Sequence, residues 1–183
     1  MCRSFLVHCS LLNENRPQSH VLLAYDNKKK LNDAIVDFLN TGLENGQLCV
    51  YAYVNLEQSF FAKLNDGIND FDRHISNNEL LLVGLKPYKI AIINGHYDMF
   101  ENFKDYLINK ASRRNDKFIR LVGDLATNFF YEEKYEHWKS LEEWWQNKPF
   151  EGCYVCPYDS TMIEHEQKRK ELLFSLHDDV VFC

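Results

Sequence analysis

Apolar and polar positions alternate along this chain in two different rhythms. Val21–Tyr25, Leu48–Val54, Leu80–Val83, Phe118–Val122 and Cys153–Cys156 are short, nearly continuous apolar runs. Such runs suit strands buried on both faces of a sheet. Between them the spacing changes to three and four. Leu31, Ile35, Phe38, Leu39 and Leu43 form one stripe of a helix over about Lys29–Asn45, which Gly46 ends. Helices are also predicted near Leu56–Leu64, Ile68–Ile75, Met99–Leu107, Tyr135–Gln146 and Glu166–Leu176, with a last short strand at Val180–Phe182. Ile90–Ile93 is expected as a further strand or a surface loop. Tyr135, Trp138, Leu141 and Trp145 share one helical stripe.

Strands alternating with helices predict an α/β fold, with a mostly parallel central sheet and helices on both faces. In such sheets ligands bind beyond the carboxyl ends of the strands. That rule selects Tyr25, Asp26, Asn55, Gly123, Asp124, Tyr158 and Asp159. Residues 1–18 read as an N-terminal leader and 19–183 as a single domain; no linker or internal repeat divides them.

Composition narrows the classes. The 183 residues are 45% hydrophobic and 14% aromatic, ample for a core. The formal charge of −6, with bases mixed among acids, argues against direct nucleic-acid binding. No apolar run approaches the ~18 residues of a membrane span, and the N-terminal patch is too brief for a secretory signal. A cytoplasmic location with mostly reduced, buried cysteines is the expectation.

The turn Tyr25-Asp26-Asn27-Lys28-Lys29-Lys30 stands where many α/β proteins cradle a nucleotide phosphate, yet it has no glycine. A phosphate loop needs backbone N–H groups free of obstructing side chains. Lys28, Lys29 and Lys30 could contact an anion weakly at the helix start, or simply form a solvated helix end. Asp124 lies where a Mg²⁺-binding Walker B aspartate would. Cys153-x-x-Cys156 resembles a metal or redox pair, but residues three apart on a strand face opposite ways, so no metal site is expected there. His20 and His177 each read as hydrogen-bonded structural residues, although His177-Asp178-Asp179 could touch a metal. No complete catalytic signature is present, and a non-enzymatic role is expected.

Four short motifs, in order, carry a family likeness: "HVLLAYD" with "FLNTGLENGQLCVYAYVN", then "RLVGDLA", "CYVCPYD" and "LLFSLHDDVVF". Together they resemble the MEDS family, the methanogen/methylotroph, DcmR-type sensory domain, over about Ser19–Phe182. The resemblance implies a RecA/KaiC-like P-loop-type architecture without an intact P-loop. It implies a sensory module for small organic ligands, coupled to a histidine kinase or transcriptional regulator in trans. The family positions fall on His20, Tyr25, Asp26, Gly123, Asp124, Cys156, Tyr158, Asp159 and His177. One departure is Leu22, where the family often carries cysteine. The expected crevice is lined by His20, Tyr25, Cys156 and Tyr158, with no cofactor; a homo-oligomer is compatible with the reading. The alternatives are a divergent ATPase using ATP with Mg²⁺ through Lys28–Lys30 and Asp124, and a structural docking module.

Overall fold

The computed structural model describes residues 17–148 and 150–183. Most of the leader expected at 1–18 therefore lies outside the described residues. The strands are β1 (Ser19–Tyr25), β2 (Leu48–Tyr53), β3 (Leu80–Gly84), β4 (Ile119–Gly123), β5 (Gly152–Asp159) and β6 (Asp179–Phe182). They form one sheet in the order β3-β2-β4-β5-β1-β6, and every pairing is parallel. This is the expected α/β class.

Two apolar layers cover the sheet. One is built on α1 (Lys28–Glu44), α2 (Gln58–Gly67) and α3 (Phe71–Ser76), with Phe38, Leu39, Phe60 and Leu64 packed on Val21, Leu23, Cys49 and Val155. The other involves α4 (Lys86–Ile93), α5 (Asp98–Ala111), α6 (Leu125–Tyr131), α7 (Tyr135–Asn147), α8 (Ser160–His165) and α9 (Gln167–Ser175). There Phe100, Phe129, Trp138 and Trp145 meet Leu22, Tyr154, Cys156 and Tyr158. Odd and even positions of β1 and β5 thus divide between the layers, as strand alternation requires. Cys153 and Cys156 fall on opposite faces, and both are buried.

Helix α1 keeps its predicted stripe. Asn27 caps it, its side chain accepting from the Lys29 and Lys30 N–H groups. Gly46 follows the helix at φ +73°, a conformation that costs glycine nothing. One expectation is corrected. Ile90–Ile93 belongs to α4, not to a strand or loop. Pro87 in the first turn is tolerated because that turn has no N–H bond to lose. The β-branched run packs only Ala91 and Ile92 inward and leaves Ile90 and Ile93 exposed. None of the described helices is long and apolar enough to cross a membrane.

Candidate functional site

The residues selected from sequence separate into two places. The first is a crevice of about 240 Å³ at the carboxyl end of the sheet. Strand β1 leads leftward in the sheet order, across β5 and β4 to β2. Strand β5 leads rightward, across β1 to β6. Opposed crossovers of this kind open a space above the strand ends. Tyr25, Asn55 and Asp124 line it, with Tyr51, Phe60 and Tyr131 supplying aromatic wall. Tyr51, Phe60 and Tyr131 were not selected from sequence; Tyr51 and Phe60 lie within apolar stretches that mark core, not site.

Asp124 ends β4 and ties it to β2: its Oδ1 accepts from the Val54 N–H at 2.7 Å. Burial pushes its carboxyl up to about 6, against the pull of that N–H and of Lys89. Burial also raises the Tyr25 and Tyr131 hydroxyls, which are hydrogen-bonded to each other. The crevice therefore presents neutral O–H groups and a carboxyl that titrates near neutrality.

Other selected residues are turned to different uses. Asp26 is exposed and pairs with Lys30 at 3.1 Å. Lys29 pairs with Asp33, and Lys28, which reaches the crevice, pairs with Glu57. With Asn27 holding two first-turn N–H groups, this helix start is already supplied with acceptors. Asp159 caps α8 through Thr161, and its own N–H donates to the Tyr131 hydroxyl.

His20, Cys156, Tyr158 and His177 form the second place, on the β1–β5 face beneath α7. The sequence reading grouped the first three with Tyr25 in one crevice; the structure puts them in the core instead. His20 and Leu22 follow the same face of β1, and Leu22 pairs in register with Cys156. Helix α7 adds Glu142, which was not selected. It is fully buried, one turn beyond Trp138. A carboxylate on the Trp138–Trp145 stripe was the signal available in the sequence.

The four donors Nε2 of His20, Nε2 of His177, Sγ of Cys156 and a Glu142 oxygen lie within 4.8 Å of one another. His20 Nε2 is 3.1 Å from Glu142 Oε2 and 3.4 Å from Cys156 Sγ. His177 Nε2 and Cys156 Sγ are each 3.8 Å from the same oxygen. The other Glu142 oxygen accepts from the Tyr158 hydroxyl, which accepts from Trp138 Nε1 at 2.9 Å. The two imidazoles are 4.1 Å apart between centroids, and Tyr154 stacks on the outer face of His20. Gly123 belongs to this packing: a Cβ there would come within 3.0 Å of the Tyr154 ring.

Burial works against a charge on Glu142, but the His20 ring and the Tyr158 hydroxyl that donates to it oppose that cost, and the carboxyl is held below its usual range. Burial and the neighbouring His20 push the His177 imidazole down to about 3. Burial beside Glu142 raises the Cys156 thiol well above its ordinary value.

The family model described as MEDS, the methanogen/methylotroph, DcmR sensory domain, matches residues 19–174. The chain belongs to the MEDS family. The match takes in β1 through most of α9, and so every residue of both places except His177. No individual curated protein matches the chain. Membership of a sensory-domain family puts this MEDS domain among sensory modules.

Proposed function

We propose that this domain is a non-catalytic sensor whose ligand is a small, partly apolar organic molecule bound in the strand-end crevice. A histidine kinase or transcriptional regulator in trans would carry the output. The observation that supports this most is the crevice itself. It is below the usual ~300–1,000 Å³ of drug-sized sites, it is walled by Tyr51, Phe60 and Tyr131, and two carboxyls line it: Glu57, paired with Lys28, and Asp124, which has no such partner and is pushed up to about 6. A protonated Asp124 can donate to a carbonyl or ether oxygen; its ionised form can accept from an alcohol or amine. The absence of glycine in the β1–α1 turn, and the pairing of Lys28, Lys29 and Lys30 with carboxylates, favour this over phosphate binding. Binding becomes a signal only if two conformations differ in affinity for the ligand. Tyr25 on β1 and Asn55 beyond β2 are the contacts placed to feel such a change.

One observation favours a second reading, a KaiC-like nucleotide site with or without weak ATPase activity: Lys28 and Asp124 line the same crevice. Thermal unfolding separates the two. A ligand at a hundredfold above its Kd adds about 2.7 kcal/mol, a rise of roughly 5–10 °C for a chain of this size. Such a rise with short alcohols, amines or carboxylic acids, lost in Tyr25→Phe and Asp124→Asn, supports the sensor. A rise with Mg-ATP that Asp124→Asn abolishes replaces it with the nucleotide reading. Small ligands that stabilise the chain equally in both variants would sink the crevice as the sensing site.

A further inference from the structure

The cluster under α7 is independent of the crevice and has a chemistry of its own. His177 Nδ1 is 2.8 Å from the Leu173 carbonyl oxygen. A carbonyl only accepts, so Nδ1 carries a proton, and the neutral ring then turns a bare Nε2 lone pair inward. That atom is buried without a hydrogen-bond partner. It faces Glu142 Oε2, itself an acceptor. Cys156 Sγ converges on the same oxygen. The ion-pair contacts of Glu142, among the described residues, are His20 and His177; no described lysine or arginine pairs with it. The Cys156 thiol and the His20 ring can each donate to Glu142, but the His177 Nε2 lone pair is left facing an acceptor in a dry interior, a costly arrangement unless a cation joins the four.

We infer that His20, Glu142, Cys156 and His177 are the four ligands of a divalent transition-metal site, with zinc the first candidate. Tetrahedral zinc with bonds of roughly 2.0–2.3 Å sets its ligand atoms about 3.3–3.8 Å apart. Four separations, 3.1, 3.4, 3.8 and 3.8 Å, lie near that range, and with the other two pairs within 4.8 Å the set needs side-chain shifts of about 1 Å or less to fit. Imidazole, thiolate and carboxylate together suit a metal of borderline softness, not Mg²⁺ or Ca²⁺. The outer partners are also in place. Leu173 fixes the His177 tautomer, and the Tyr158 hydroxyl holds the second Glu142 oxygen. A cavity of about 20 Å³ lined by His20, Tyr154 and Trp145 leads to the surface. It is wide enough for one water, or a metal ion in passage, but not for an organic ligand. With all four positions filled by protein, the site is structural. It pins β1, α7 and β5 to the turn before the edge strand β6.

The test is elemental analysis of the full chain purified under mild reduction, followed by Co²⁺ substitution. About one metal per chain is expected, with the intense visible bands of tetrahedral cobalt and a thiolate charge-transfer band in the near ultraviolet. Cys156→Ser should lose the thiolate band and His177→Gln should bind more weakly than wild type. Tyr158→Phe, which removes only a supporting hydroxyl, should weaken binding about 10–100-fold. Cys153→Ser, equally buried but on the opposite face, should keep full occupancy. A chain that takes up neither Zn²⁺ nor Co²⁺ overturns the inference. So does a metal that survives unchanged in both Cys156→Ser and His177→Gln, because it would sit elsewhere. If Cys156→Ser does not fold, the wild-type cobalt spectrum decides: a tetrahedral thiolate signature supports the site and its absence removes it. Chelation should lower Tm and loosen β6 first, and these readouts do not depend on any crevice ligand.

Discussion

Glu142 and Asp124 are both carboxyls withdrawn from water, and their surroundings drive them in opposite directions. Glu142 is the more deeply buried, yet it is held below the usual carboxylate range. Asp124 keeps a path to the crevice, yet it is pushed up to about 6. The difference is partner density. The His20 ring and the Tyr158 hydroxyl converge on Glu142, whereas Asp124 has a backbone N–H and the field of Lys89. Burial sets the cost of a charge; the groups around it decide whether the charge survives. The core cluster is therefore built to stay in one state, and the crevice to change state near neutral pH.

Breaking the cluster should have the largest effect. Glu142→Leu removes the acceptor shared by His20, Tyr158 and Cys156, and should cost about 3–5 kcal/mol, seen as a lower urea midpoint. Tyr158→Phe keeps the ring but deletes the hydroxyl between Trp138 and Glu142. A loss of about 1.5–3 kcal/mol is expected, as for a hydrogen bond to a charged group.

Asp124→Asn should act the other way. A carboxyl whose folded-state pKa of about 6 exceeds its ordinary value of 3.8 binds its proton more tightly in the fold. Ionisation therefore disfavours the fold above about pH 6, and the penalty fades as pH falls toward 4. Asparagine keeps an acceptor for Val54 but carries no charge. It should stabilise by about 1–2 kcal/mol at pH 7.5, with the difference from wild type vanishing near pH 4. Subtracting the two pH profiles cancels the other titrating groups. A variant that is destabilised at neutral pH would mean that the Asp124 charge is needed by the fold.

The smallest effect belongs to the lysine turn. Lys30→Ala removes an exposed pair with Asp26 and should change stability by no more than about 0.5 kcal/mol. A larger loss would mean that the helix start does more than meet solvent.

The strand-end half of the site was partly legible in the sequence because it follows a topological rule. Tyr25, Asn55 and Asp124 end apolar runs, and a parallel sheet brings such ends together. The cluster was legible only residue by residue. His20, the Cys156–Tyr158 pair and His177 are far apart in the chain; each histidine alone reads as structural, and Cys156 and Tyr158 read as part of the crevice. Glu142 stands beside the apolar stripe of α7, where a lone helical carboxylate ordinarily meets solvent, and only the packing of α7 on the sheet buries it. α6 and α8 were not predicted; they are one or two turns long, too short for a periodic pattern to emerge.

The sequence by itself determined the α/β class, the places of the six strands though not the helical state of Ile90–Ile93, the stripe of α1 and the lack of a glycine phosphate loop. These depend on local periodicity and on single residue types, which a chain carries wherever it goes. Only the tertiary structure decided that Cys156 joins His20, Glu142 and His177, and that Tyr25 and Tyr158 serve different sites. Strand order, register and the seating of α7 on the sheet set those distances. They are long-range packing outcomes that no window of the sequence contains.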